Sequence, residues 1–343
     1  MKAIALTGYG HENVSLQNVT EPEAGPGEVV VRIRAAALNH LDLFTLSGVL
    51  GIEHQWPHPL GADGAGEIET TGDGVKGLKP GTRVMINPAH SCRQCELCRA
   101  GEQSECPRFR MLGEHLPGTL AEKVVVPQTN VYPFPEDLSF VEAAALGVTF
   151  ITAYRMLFTR GQMRPGEWLL ITGIGGGLAQ SLFQLARPVA GRVFVTSSSQ
   201  EKLDKALAMG ATAGVNYSEE DVGKAIRQKT GKRGVDLVVD SAGGPSIDQA
   251  LSALRKGGRV VVAGATAGQK AEINVNRLFW NQLSIVGSTM GSDTDVADML
   301  RLVSGSGLRP LIHATYPFEE GAAALAELER QEHFGKLVVE VNP

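Results

Sequence analysis

Outside one short stretch this chain has no cysteine, its aromatic residues are few, and it has no long apolar run. All four cysteines of the 343 residues fall between Cys92 and Cys106, so no disulfide framework spans the sequence. No uninterrupted apolar stretch approaches the roughly 18 residues of a membrane-crossing helix. The opening M-K-A-I-A-L-T-G-Y-G has neither the apolar core nor the cleavage site of a secretory leader. With reduced, clustered cysteines, this sets the expectation of a cytoplasmic protein. No run of Lys and Arg exceeds two, and 32 basic against 37 acidic residues leave a net charge of −5. A nucleic-acid footprint is therefore not expected, nor a membrane partner. Aromatics make up 6% while glycines number 41, a balance that suits an α/β protein rich in tight turns.

What is present begins with the cysteines. Cys92, Cys95, Cys98 and Cys106 form a C-x2-C-x2-C-x7-C array. Four thiolates so spaced wrap one tetrahedral Zn²⁺ at about 2.3 Å per bond, with no open coordination position. Such a site is structural. Two disulfides would require a secreted chain, and the usual iron–sulfur spacings differ from this one. A structural zinc contributes about 10–16 kcal/mol of apparent binding free energy to the folding of its segment. It folds a loop and does no chemistry.

The rest of the chain divides by its period. Up to about residue 130 it reads as short strands broken by turns: 28–37, 64–75 with a turn at its end, and 81–88. Beyond about 140, apolar strands alternate with amphipathic helices. Strands are expected at 168–172, 192–196, 214–217, 235–240, 259–264 and 283–288, with a helix over 245–255 among those between them. That alternation makes a doubly wound parallel sheet. After 292 a helix, a strand near His313–Pro317, another helix and K-L-V-V-E-V follow, a tail expected to return to the first domain. The expected domains are 1–130 with 292–343, carrying a lobe at 88–110, and a dinucleotide-binding domain at 131–291.

The turn G-I-G-G-G after strand 168–172 is where a dinucleotide pyrophosphate sits on the free N–H groups of a helix N-terminus. A strict G-x-G-x-x-G is absent. Gly176 fits its second position and Ala179 its third, while Ile174 replaces the first glycine. Gly175, Gly176 and Gly177, with Gly264 closing strand 259–264, are the expected close-approach positions. An NAD site wants an acidic residue at the end of the second strand, but V-F-V-T-S-S-S has none before Glu201. Ser197, Ser198, Lys202 and Tyr217 instead offer donors and a cation to a 2′-phosphate, so NADP(H) is the expected cofactor.

With those segments, the chain resembles the medium-chain dehydrogenase/reductase superfamily of zinc alcohol dehydrogenases, quinone oxidoreductases and enoyl reductases. The resemblance rests on L-N-H-L-D (38–42), G-A-D-G-A-G (61–66), the four-Cys lobe, G-T-L-A-E (118–122), T-A-Y (152–154), the glycine turn, V-V-D-S-A-G (238–243) and F-G-K (334–336). It implies a GroES-like β-rich catalytic domain beside a Rossmann domain. It also implies three ligand positions for a catalytic zinc, and here they read Asn39, Ala62 and a place near Gly147. None of the three binds zinc as the family does.

A metal-free site suits acceptors that are already electron-poor, namely enones, quinones or activated carbonyls. Asn39 is the expected oxyanion donor, His40 the candidate proton donor with a cofactor-phosphate contact or a packing role as its alternatives, and Asp42 a buried partner fixing the loop rather than an acid. Thr152 is expected to orient the nicotinamide carboxamide, and Lys336 to lie near the cofactor by resemblance. A different set of ligands, drawn from His40, Asp63, His115, Glu114, His54 and His58, would make an alcohol dehydrogenase with an unusual metal site. A nucleotide-binding protein without turnover is the third reading. The expected partners are a small-molecule substrate and a second copy of the chain, as homodimer or homotetramer, through the apolar L-S-I-V-G-S strand. Elemental mass spectrometry on protein purified without added metal is expected to find about one zinc per chain. About two would put a second ion in the active site.

Overall fold

A computed structural model describes residues 1–49 and 51–341 as two compact units, Met1–Thr149 with Ser292–Pro343, and Phe150–Gly291. The first is built on the ten-residue strand Glu28–Ala37. Its Val29, Val31 and Ile33 are wholly buried, and it pairs antiparallel with Asp63–Thr71, Lys123–Pro127 and Lys336–Glu340. Arg83–Ile86 and Val131–Pro133 extend this seven-stranded sheet on one side and Ile312–Pro317 on the other. The C-terminal strand therefore comes home to the first unit, and its Leu337, Val338 and Val339 are buried there.

The first unit runs to Thr149 rather than 130. Val131–Pro133 is hydrogen-bonded to Arg83–Ile86, and the following helix Phe140–Ala144 starts in a capping box in which Ser139 and Glu142 bond each other's backbone N–H. Both belong to the first sheet by packing, although the change of period suggests an earlier border.

The second unit is a six-stranded, all-parallel sheet. Its order is Ala213–Asn216, Arg192–Ser197, Trp168–Ile171, Val235–Asp240, Leu254–Val262, Ser284–Gly287. The strands are near-continuous apolar runs because helices cover both faces: Leu169–Ile171 and Leu237–Val239 are at most 1% exposed. The helix expected over 245–255 is Ser246–Ala253, since Leu254 already pairs with Val235 and opens the next strand. In this strand order the chain reverses direction between Trp168–Ile171 and Val235–Asp240. Dinucleotides bind outside the carboxyl ends of strands at such a point.

Candidate functional sites

The cysteine lobe stands on a short ladder of Ala89–His90 with Arg110–Met111. The four sulfurs lie within 4.8 Å of one another, and none is in a disulfide. Cys92 Sγ is 3.9 Å from Cys98 Sγ, and Cys95 Sγ 4.0 Å from Cys106 Sγ. A ZnS4 tetrahedron with bonds of about 2.3 Å has edges near 3.8 Å, so the sulfurs are already at ligand spacing. Backbone N–H groups point at them. Cys95 N donates to Cys92 Sγ, Cys98 N to Cys95 Sγ, and both Cys92 N and Arg108 N to Cys106 Sγ, at 3.3–3.4 Å. The Gln94 N–H draws the Cys92 thiol down to about 5 against the opposing effect of burial. The donor set fits a zinc ion held entirely by protein.

At the glycine turn, Gly173 takes the left-handed conformation (φ 68°), and its N–H donates to Thr196 Oγ1. The Ile174 N–H donates to Thr196 O and its side chain is fully buried, so isoleucine plugs the place where the fingerprint has glycine. Gln180, unremarked in the sequence, donates its side-chain amide to Ile174 O and braces that peptide. Gly176 caps the ten-residue helix Gly177–Ala186 with no side-chain hydrogen bond, leaving the first N–H groups open to an anion. A Cβ on Gly175 would stand 2.9 Å from Lys202 Nζ, so the Lys202 amine lies over the turn. Ser198 and Tyr217 are exposed, whereas Ser197 is buried and its hydroxyl accepts from Ser199 N. Ser199 caps the next helix, and Glu201 pairs with Lys205. Gly264 is glycine for a reason of packing: a Cβ there would meet Ser241 O at 2.3 Å.

The third site is a buried polar cluster in the first unit. Lys336 Nζ is 2.7 Å from Leu38 O, 2.7 Å from Asn39 Oδ1 and 3.3 Å from Asp63 Oδ2. Its three protons thus meet three protein acceptors. Lys336 is 4% exposed, and its amine faces these groups. Asn39 Nδ2 donates to Asp63 Oδ2 at 2.9 Å and to Ala37 O at 3.3 Å. Both its N–H bonds are engaged within the protein, where the expected role was to donate to a substrate oxygen. The cause is the ammonium beside it, which turns the amide oxygen inward.

Asp63 Oδ1 accepts from Val148 N at 2.6 Å, and a Cβ on Gly147 would meet that oxygen at 2.0 Å. The carboxylate therefore fills the space a third zinc ligand would need. Ala62 offers no donor atom, and Asn39 is bonded to both ions. The ammonium–carboxylate pair lies among the three ligand positions that the resemblance assigns. Asp42 accepts from Asn39 N at 2.7 Å and Gly61 N at 3.1 Å and fixes the loop ahead of the helix His40–Ser47. Burial pushes its carboxyl up to about 7, with the Asn39 N–H opposing and the Asp63 charge adding. Burial also lowers Lys336, against the attraction of Asp63.

His40 is half-buried with its ring edge-on to Phe44, and burial lowers its pKa, favouring a neutral imidazole near pH 7. Among the described residues its ring nitrogens have no hydrogen-bond partner. Thr152 is buried, with its hydroxyl on Met290 Sδ at 3.6 Å. Of the alternative metal ligands, His54 and His58 have ring centroids 4.3 Å apart and His115 Nδ1 lies 3.4 Å from Glu114, yet their ligand atoms do not converge on one point. His54 Nε2 bonds Glu114 O, His58 Nε2 bonds Gly113 O, and Met111 N donates to His115 Nδ1. Among the described residues, the cysteines are the one group of three or more such side chains within reach of a shared ion.

Two family models match the chain: Alcohol dehydrogenase GroES-like domain over residues 25–136, and Zinc-binding dehydrogenase over 177–305. A solved NAD-dependent alcohol dehydrogenase is 41% identical, with 100% of both chains covered and a TM-score of 0.94. The NAD-dependent alcohol dehydrogenase of Saccharolobus solfataricus is 30% identical over 348 residues, 99% of each chain. The acryloyl-coenzyme A reductase of Metallosphaera sedula is 28% identical over 340 residues, again 99% of each.

The Asp42 environment sets a pH dependence. Its folded pKa lies above the unfolded one, so the folded chain holds the proton more tightly. The stability this confers at acid pH is lost as pH rises from about 4 to about 7. The urea midpoint is expected to carry a downward component over that window which Asp42→Asn removes. An unchanged slope in the variant would show that Asp42 titrates normally.

Proposed function

Since the chain belongs to the medium-chain dehydrogenase/reductase superfamily of zinc-type alcohol dehydrogenases and quinone oxidoreductase-like enzymes, and is on that ground an oxidoreductase, we propose that it is an NADP(H)-dependent reductase of enones, quinones or activated carbonyls. One structural zinc and no catalytic zinc complete the reading. The observation that carries it is the Lys336–Asp63 pair among the three metal-ligand positions. The acryloyl group in the name of one relative is an acceptor of the proposed kind.

The nucleotide supplies a hydride when bound. The open N–H groups ahead of Gly177–Ala186 would hold its pyrophosphate, and Lys202 with Ser198 and Tyr217 a 2′-phosphate. With an electron-poor acceptor, negative charge collects on the substrate oxygen, and the protein's task is to neutralise it. His40 is the group in the 38–42 loop with free polar atoms. A neutral imidazole N–H there donates a hydrogen bond to that oxygen, and passes its proton on only as the other ring nitrogen takes one from solvent, so the proton comes in the end from water. Asn39 and Asp42 hold the loop that carries it.

The alcohol dehydrogenase names of two relatives favour a second reading, interconversion of alcohols and carbonyls with NAD. NADPH oxidation across enones and quinones, with and without a chelator, separates the two. Chelator-resistant turnover of an enone or quinone supports the first reading, and prompt loss of alcohol oxidation the second. Lys202→Ala is expected to raise KM for NADPH by about tenfold to a hundredfold, the worth of one charged hydrogen bond, and to leave KM for NADH nearly unchanged. Equal effects on both would remove Lys202 from the 2′-phosphate.

A homodimer suits the edge strand Ser284–Gly287, which among the described residues pairs only with Leu254–Val262. Ile285 on it is 42% exposed, and Val275, Phe279 and Trp280 on the preceding helix are 61–72% exposed. Light scattering is expected to give twice the chain mass, and Trp280→Glu to lower it. A monomeric parent protein would dismiss the pairing. A small-molecule substrate and a reducing compartment, the cytoplasm, complete the proposal. Among the described residues no helix is long and apolar enough to cross a membrane.

A further inference from the structure

We propose that Lys336 is the built-in cation of an oxygen-lined site and, through it, the positioning residue of the Leu38–Asp42 loop. Three oxygens of different chemical kinds converge on its amine: a backbone carbonyl, a side-chain amide and a carboxylate, from Leu38, Asn39 and Asp63. Two of the three come from the loop itself. The inference deepens the reductase reading and rests on it for what the loop does.

The chain is shaped to deliver the amine there. Gly335 enters the last strand at φ 118°, where a Cβ would stand 2.6 Å from Leu311 O. The strand then buries Leu337–Val339 completely and leaves its first residue pointing at the loop. An ammonium and a carboxylate dictate which way the amide of Asn39 faces, oxygen to Lys336 and nitrogen to Asp63. A neutral neighbour would leave two orientations open. Asn39 is also the N-cap residue of the helix on which His40 is first, its backbone N–H donating to Asp42 Oδ2 and its carbonyl accepting from Asp42 N, so a residue whose amide is held by charge holds the start of that helix. A buried ion pair is weak evidence for stability, since apolar residues of similar volume often do as well. Its worth here is orientation.

Lys336→Ala leaves a cavity the size of a small amine, and ethylammonium is the probe. The variant is expected to melt about 10 °C below the parent, as befits an unpaired buried carboxylate, and ethylammonium to raise the melting temperature again. Tetramethylammonium, too large and without N–H donors, does nothing. The kcat falls about 100-fold and recovers with ethylammonium, while Kd for the nucleotide stays at the parent value. The double variant Asp63→Asn with Lys336→Met removes both charges at nearly constant volume. It is expected to fold and yet keep the loss in kcat.

A Lys336→Ala protein indifferent to ethylammonium would overturn the cation site. Parent-level kcat in the double variant would overturn the positioning role and leave the pair a matter of packing. If the parent itself reduces no acceptor, the reductase reading fails, and the melting experiment still decides the cation site.

Discussion

An amine removed from water must find acceptors for all its protons and an opposite charge, and much of the first unit answers that need. Lys336 draws Leu38 O, Asn39 and Asp63 around itself. Asp63 in turn takes the Val148 N–H and forbids any side chain at 147. Asn39, held between the two ions, begins the helix His40–Ser47, and Asp42 ties the same loop to Gly61 N. Strands at the two ends of the sequence, Glu28–Ala37 and Lys336–Glu340, must pair in one register for these groups to meet. A polar network of this kind is satisfied only as a whole, which makes it a specifier of geometry.

The cysteine lobe, fit for a zinc ion, and the buried pair are the two cation sites of the first unit on the proposed reading. At the lobe four cysteine sulfurs at ligand spacing would fill all four positions of a tetrahedral metal, leaving no place for substrate. In the cluster the cation is covalently part of the chain and its protons are all taken. Neither offers a Lewis acid to a substrate oxygen. On the proposed reading, His40, whose ring nitrogens have no hydrogen-bond partner among the described residues, is the polar group of the loop that meets the substrate.

Much of the fold could be read from the chain because burial on two faces leaves a mark in sequence. W-L-L-I-T and V-D-L-V-V-D are continuous apolar runs, and a parallel sheet requires such runs. The cysteine spacing carried the lobe for an equally local reason. Less local features were missed. The border at Thr149 depends on pairing between Val131–Pro133 and Arg83–Ile86, distant in sequence. The Lys336 cluster joins residues nearly 300 positions apart. One hint was present: a lysine opening an otherwise buried strand must be paired. Its partner could not be named without the fold. Gln180 bracing Ile174 is a similar case, since the departure from the glycine fingerprint was visible but its remedy was not.

The most direct test is anomalous diffraction at the zinc absorption edge, on crystals grown without added metal. One peak among Cys92, Cys95, Cys98 and Cys106, with the Lys336 amine in density against Asn39 and Asp63, is the predicted result. A second peak within bonding distance of Asp63, with Lys336 displaced, would contradict the account and make the active site a metal centre.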